Sequence, residues 1–272
     1  MPLMTSFLNT IVNTQRERIE RSKSRVSPVG MEAAAYSAAL KPPLDFAASL
    51  KKTGTRVIAE IKKSSPSAGS IRPLCDTKQI AAQYAVAGAA AISVVTEEKY
   101  FGGDIYNLID AREGAPSTPL LRKDFIVDIY QIFEARHFGA DAVLLIKKIL
   151  SDDEFRRLAE TARSLKMSVL AETHDEKELD AVLSSGVDCA VGVNSRNLDT
   201  FEIDAAATEK LLKKIPSTVT AVAESAIKSA EDIIRLKSAR GGGQMAFLIG
   251  SALMKHPEPG RKLSEIISAA GV

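Results

Sequence analysis

Glu60 and Lys62 are the first residues that suggest chemistry. They close an apolar run, Val57-Ile58-Ala59-Glu60-Ile61, at a point where a core strand should stay apolar. Side chains alternate faces along a strand, so an acid and a base two residues apart point the same way. The chain then enters Lys63-Ser64-Ser65-Pro66-Ser67, and Pro66, which has no N–H, ends the strand. A neighbouring ammonium and carboxylate can hold an anion and move protons. Burying either charge alone costs several kcal/mol. At about 4 Å their attraction is worth about 4 kcal/mol at an effective dielectric of 20, so the pair can coexist, although an apolar pair would be cheaper. The plainer alternative is a surface ion pair at a strand end.

Similar groups recur at the ends of other apolar runs. They are Arg122-Lys123-Asp124-Phe125, Lys147-Lys148, Glu172-Thr173-His174, Asn194-Ser195-Arg196, Glu224-Ser225 and Gly250-Ser251. Charged ends on apolar strands are expected where catalytic side chains converge on the C-terminal rim of a parallel barrel. In such barrels a phosphate often sits on backbone N–H groups after the seventh and eighth strands. Ser225-Ala226-Ile227 and Gly250-Ser251-Ala252 fall there, and Ser65 and Ser67 can add hydroxyls. The same serines could instead cap the helices that follow. His174 stands beside Asp175 and Glu176, a setting in which an imidazole is expected to face solvent, and His137 and His256 read as structural or solvated. Metal-ligand spacing and a Ser–His arrangement are both lacking, so neither metal nor cofactor is implied.

The elements that must position these groups alternate regularly. Expected strands are Val57–Ile61, Ala91–Thr96, Pro119–Lys123, Asp141–Lys147, Ser168–Glu172, Cys189–Asn194, Thr220–Glu224 and Met245–Gly250, with helices between them such as Asp152–Leu165 and Asp175–Ser185. Ser151 suits an N-cap, with acids in the next turn, and Gly139, Gly186 and Gly241 suit left-handed helix ends. The pattern predicts an α/β fold, a (β/α)8 TIM barrel. An open doubly wound sheet would call for a glycine fingerprint after the first strand, which is missing. Before the barrel, Leu3–Arg25, Met31–Leu40 and Asp45–Lys52 read as helices, with a break at Ser27-Pro28-Val29-Gly30. The expected organisation is an N-terminal helical extension over residues 1–52, packing on a catalytic barrel over residues 53–272.

Composition narrows the partners. A net charge of +2 gives no electrostatic case for nucleic acid. Two cysteines, Cys75 and Cys189, suit a reducing compartment. The stretch Met1–Asn13 lacks the charged start of a secretion signal, and no apolar run approaches the roughly 20 residues of a membrane span. A cytoplasmic protein acting on a small molecule is expected, as a monomer or weak oligomer.

Taken in order, the strand ends resemble indole-3-glycerol-phosphate synthase of tryptophan biosynthesis. The resemblance covers almost the whole chain. It rests on Ile58-Ala59-Glu60-Ile61-Lys62-Lys63-Ser64-Ser65-Pro66-Ser67, Thr96-Glu97-Glu98-Lys99-Tyr100-Phe101 and Leu121-Arg122-Lys123-Asp124-Phe125-Ile126-Val127-Asp128. Gly192-Val193-Asn194-Ser195-Arg196-Asn197-Leu198, Val222-Ala223-Glu224-Ser225 and Leu248-Ile249-Gly250-Ser251-Ala252-Leu253-Met254 complete it. It implies an anionic phosphosugar substrate, 1-(2-carboxyphenylamino)-1-deoxyribulose 5-phosphate, which closes to indole-3-glycerol phosphate with loss of carbon dioxide and water. It further implies that Lys123 is the general acid and that Lys62 holds the substrate carboxylate. Glu172 and Glu60 would take up protons and stabilise a cationic intermediate. Asn194 and Glu224 match positions that bind substrate hydroxyls or orient Lys123, and Arg196 and Ser225 join the substrate site. Phe101, Phe125, Leu144 and Leu198 are candidates for the slot that takes the aromatic ring. Ser65, Ala226, Gly250 and Ser251 would surround the phosphate. A lysine beside other cations is expected to have its pKa lowered toward the working pH.

Two departures from the family pattern stand out. Ala226 replaces the usual glycine; a left-handed backbone there would cost about 1–2 kcal/mol. Gly102-Gly103-Asp104 replaces an Asn-Gly-Ser tendency, which is expected to loosen the loop and bring negative charge near the substrate. Other phosphosugar barrels remain open as readings: an isomerase, or a Schiff-base aldolase using Lys123 or Lys147. A phosphate-ligand-binding barrel without catalysis is the non-enzymatic alternative.

Overall fold

The computed structural model describes residues 7–194, 196, 200 and 202–271. Eight parallel strands close into a barrel. They are β1 (Arg56–Ile61), β2 (Ala91–Val95), β3 (Leu120–Lys123), β4 (Ala142–Ile146), β5 (Ser168–Thr173), β6 (Ala190–Asn194), β7 (Ala221–Glu224) and β8 (Met245–Ile249). Each strand pairs with its sequence neighbours, and β1 closes the ring against β8, with Val57 opposite Phe247. A parallel strand covered on both faces needs apolar side chains throughout, and Ala142–Ile146 and Met245–Ile249 are buried at every position. Val57, Ala59 and Ile61 face the outer helices, whereas Ile58 packs inside the barrel with Leu121, Leu144, Leu170, Val222 and Leu248. The expected strands agree with these to within a residue or two.

Between the strands run α4 (Thr77–Val86), α5 (Asn107–Gly114), α6 (Ile129–His137), α7 (Asp152–Ser164), α8 (Glu176–Ser184), α9 (Ala205–Lys214) and α10 (Ala230–Arg240). The short α11 (Ser251–Met254) and α12 (Pro259–Ala269) follow β8. Ser151 caps α7 in a reciprocal pair with Glu154. Gly139, Gly186 and Gly241 all have positive φ after their helices. Among the described residues no helix is long and apolar enough to cross a membrane.

Three helices precede β1: α1 (Phe7–Arg25), α2 (Pro28–Ala35) and α3 (Phe46–Lys51). Residues 3–6 of the expected first helix lie outside the described residues. The second helix begins earlier than expected and ends at Ala35 instead of Leu40. Ser27 accepts from Gly30 N and Pro28 occupies the first turn, so the supposed breaker is a start signal. α3 inserts Phe46 and Leu50, both buried, into the barrel interior beside the strand starts Ala91, Ala142, Ala190 and Ala246, closing its N-terminal end. α1 lies against α6, where buried Arg18 meets Glu134 at 3.0 Å. Glu134 also meets Arg122 at 3.3 Å, and Arg122 meets Asp124 at 2.8 Å. After β1 the chain forms a two-residue hairpin, Ser64–Ser65 against Gly69–Ser70. Arg72, just beyond it, donates to the carbonyls of Met254, His256 and Pro257.

Candidate active site

The inward face of the barrel changes character along its length. Apolar side chains fill the lower part. At the C-terminal rim, Glu60, Lys62, Lys123, Glu172, Asn194 and Glu224 line a cavity of about 300 Å³. Arg196, Ser225, Phe101, Phe125, Leu144, Ser65, Ser67, Ala226, Gly250 and Ser251 line it too. Every described residue of the acid–base, substrate and phosphate sets that the family resemblance implies therefore reaches one mouth; Leu198 lies outside the described residues.

Lys123 ends β3 with its Nζ 3.1 Å from Glu172 Oε2 and 3.9 Å from Glu224 Oε2. Burial works against its charge, but Glu172, Glu224 and Glu60 outweigh burial and raise its pKa above the usual lysine range. The lowering expected from neighbouring cations is not met, because Lys123 faces carboxylates. Burial would raise Glu172, yet Lys123, His174 and Asn194 reverse this and hold it well below the usual carboxylate range. Glu224 goes the other way: burial first and then the Glu172 charge push it well above that range. Two neighbouring carboxyls are thus pushed in opposite directions, Glu172 toward its ionised form and Glu224 toward its protonated form.

Just past the end of β1, Lys62 Nζ lies 2.5 Å from Glu60 Oε1, the same-face pair that alternation requires. Glycines make room for the neighbouring acids. A Cβ at Gly250 would overlap the Glu60 carboxylate, and one at Gly192 would overlap that of Glu224. Asn194 donates from Nδ2 to Glu172 at 3.0 Å and accepts from Ser225 Oγ at 2.7 Å. Ser225 is therefore not a helix cap; Ser229 caps α10. Ser251 is the first residue of α11, whose N-cap position is Gly250. Ser225 and Ala226 both have left-handed φ, 65° and 58°, so the alanine bears the backbone strain that glycine would avoid.

The apolar wall is made by Phe101, Phe125 and Leu144, with ring centroids of the two phenylalanines 6.1 Å apart. Val95, Ile146 and Ile203 extend it, and sequence reasoning had not named them. Glu97 also lines the cavity and accepts backbone N–H bonds from Lys99, Tyr100 and Phe101, which fixes the loop carrying Phe101. That loop is tied down, contrary to the loosening expected. Gly102 has φ 64° and Gly103 packs so closely on the Val95 and Glu97 carbonyls that a Cβ is excluded. Exposed Asp104 accepts from Tyr106 N and does not line the cavity. Lys228 and Lys255 line it beside Ala226 and Ser251, adding positive charge on that side.

Three rim residues sit differently from their sequence reading. Arg122 neighbours Lys123 but points outward into the buried ion network beneath α6. Lys147 turns to Asp152 at 3.0 Å and the Leu150 carbonyl and is absent from the cavity lining, which removes it as a Schiff-base nucleophile. His174 is not solvent-facing: its side chain is 9% exposed and lies between Glu172 and Glu178.

A closed parallel barrel with acid–base groups gathered on its C-terminal rim defines an enzyme of the (β/α)8 class. The sequence profile described as "Indole-3-glycerol phosphate synthase" matches residues 8–266. A protein of that name from Acetivibrio thermocellus is 41% identical over 260 residues, covering 95% of this chain and 98% of its own length. One from Chromobacterium violaceum is 43% identical over 270 residues, covering 98% and 99%. The chain belongs to the indole-3-glycerol phosphate synthase family. In fold it is also similar to tryptophan synthase subunit alpha from Legionella pneumophila, with TM-score 0.59 and 14% identity over 83% of this chain and 97% of that one.

Proposed function

We propose that the chain is a carboxy-lyase that closes 1-(2-carboxyphenylamino)-1-deoxyribulose 5-phosphate to indole-3-glycerol phosphate, in the pathway to tryptophan. The observation that carries this is Lys123, buried 3.1 Å from Glu172, sharing one cavity with the Lys62–Glu60 pair. The phosphate is seated by Ser65, the backbone around Ala226, Gly250 and Ser251, with Lys228 and Lys255 nearby. The aromatic ring lies along Phe101, Phe125 and Leu144, and Lys62 holds its carboxylate. Arg196, Asn194 and Ser225 take remaining polar groups of the substrate.

In this reading the ring carbon that bears the carboxylate attacks the ketose carbonyl carbon. The carbonyl electrons move to oxygen, which takes the Lys123 proton. A high pKa suits that role: the ammonium stays protonated until an oxygen of rising basicity draws the proton away. Carbon dioxide leaves and its bonding electrons restore the ring. The hydroxyl leaves as water with a second proton, while a base removes one from the adjacent methylene carbon. Glu172 and Glu60 serve as the proton acceptors and stabilise the intermediate cation. Glu224 orients Lys123 and the substrate hydroxyls. The chain acts in the cytoplasm without a cofactor.

Incubation with the substrate, followed by indole fluorescence, tests the assignment; Lys123→Ala is the control. Turnover by Lys123→Ala at the wild-type rate would refute the general-acid role. A covalent adduct trapped by borohydride would favour an aldolase, and binding without turnover would favour a binding barrel.

A further inference from the structure

His174 lies two residues beyond Glu172, so strand alternation carries it to the same inward side. It does not line the cavity. Its Nε2 is 3.2 Å from Glu172 Oε1 and its Nδ1 is 3.1 Å from Glu178 Oε2. Glu178, in the first turn of α8, also accepts the backbone N–H of His174 at 2.9 Å. A neutral imidazole has one acceptor nitrogen, which cannot usefully face a carboxylate, so a ring placed between two carboxylates favours the form with both nitrogens protonated. The surroundings agree. Burial disfavours the charge, but the bonds to Glu172 and Glu178 prevail and raise the His174 pKa to about 9.

The result for Glu172 is an asymmetric carboxylate. Its Oε1 accepts from Asn194 Nδ2 at 3.0 Å and lies in ion-pair contact with His174 Nε2 at 3.2 Å, while Oε2 accepts from Lys123 at 3.1 Å. The charged groups nearest the ring are thus Glu172 on β5 and Glu178 on α8. The short turn Lys147–Ile149, packed against both elements, directs Lys147 away to Asp152. Asp175 is occupied as the N-cap of α8.

We propose that His174 is a positioning residue: a doubly protonated imidazole, anchored by Glu178, that fixes Oε1 of Glu172 and leaves Oε2 for Lys123 and the substrate. This rests on the synthase reading of the site. It deepens that reading by assigning a charged link from α8 to the acid–base pair.

The test compares His174→Leu with His174→Gln, which keeps a neutral donor. In His174→Leu, kcat falls about tenfold while KM stays within about twofold; in His174→Gln, kcat stays within about threefold of wild type. The wild-type kcat declines as His174 loses its proton near pH 9, and that step is absent from both variants. Wild-type kcat in His174→Leu, or a loss shared equally by both variants with the alkaline step intact, overturns the proposal. A second measurement needs no turnover and so separates this inference from the synthase reading. Nitrogen NMR of the labelled protein should show His174 titrating near pH 9 and moving toward about 6.5 in Glu172→Gln. An ordinary titration in the wild-type protein overturns the clamp, whether or not the protein turns over substrate.

Discussion

Adding one methyl group at Gly192 should damage catalysis far more than folding. Gly192 lies on the inward face of β6, and a Cβ there would overlap Glu224 Oε1, with Cδ at 3.3 Å and Leu170 Cδ1 at 3.4 Å. The leucine contact is tolerable, so the strain falls on the carboxyl, the far end of a flexible side chain. Restoring ordinary contact moves that carboxyl by about 1 Å. Fold stability then drops by about 1 kcal/mol, the low end for overpacking, which is about 2–4 °C for a chain of this size. A misplacement of about 1 Å at reacting groups can cost about a hundredfold in rate, or about 2.7 kcal/mol. Gly192→Ala is therefore expected to lose about a hundredfold in kcat with a small change in melting temperature. The decisive assay is a double-mutant cycle with Glu224→Ala, measured by indole fluorescence and by thermal unfolding. Once the carboxyl is gone the new methyl meets nothing costly, so the double variant should be no slower than Glu224→Ala alone. Additive losses, or a Gly192→Ala enzyme within twofold of wild type, would refute the reasoning.

Lys123→Ala should lower kcat/KM by about a thousandfold, about 4 kcal/mol of transition-state stabilisation, in the same fluorescence assay. Ala226→Gly relieves a left-handed alanine at φ 58°, worth about 1–2 kcal/mol, against a gain in unfolded-state entropy of about 0.4–1 kcal/mol. A rise in melting temperature of about 1–3 °C is expected, with a lower KM; a fall in stability would show that the strain is absent. Glu224 has a raised folded pKa, so its contribution to stability is full below the unfolded pKa of about 4.3 and is lost as pH rises toward the folded value. Glu224→Gln, which mimics the neutral acid, should accordingly melt above wild type at pH 8 and alongside it at pH 3.5; the opposite order would show that Glu224 is ionised in the folded protein.

The barrel was legible because buried parallel strands are short continuous apolar runs that end abruptly in charge, as Ala142–Ile146 does before Lys147. The acid–base set was legible for the same reason: Glu60, Lys123, Glu172 and Glu224 interrupt hydrophobic patterns at equivalent heights. Other features depend on three-dimensional neighbours that no spacing encodes. Gly192 and Gly250 look like ordinary glycines until adjacent strands bring carboxyls against them. His174 was misjudged from the acids beside it in sequence, although alternation from Glu172 places it inward. Arg122 was grouped with Lys123, yet adjacent strand residues face opposite ways, and its partners are Gln131 and Glu134 of α6 together with Thr96 and Asp124. The start of α2 was missed because Ser27-Pro28 was weighed as a breaker instead of as cap and first turn.

Arg72 gives the mouth a mechanical property. It reaches from the chain beyond the first hairpin to three carbonyls at the far end of the molecule's sequence, at Met254, His256 and Pro257. The loop after β1 and the segment after β8 are thereby joined beside the seam where the ring of strands closes. The segment bearing Ser65 and the segment bearing Ser251 are therefore coupled: parting them breaks the Arg72 bonds, whereas lifting them together keeps those bonds.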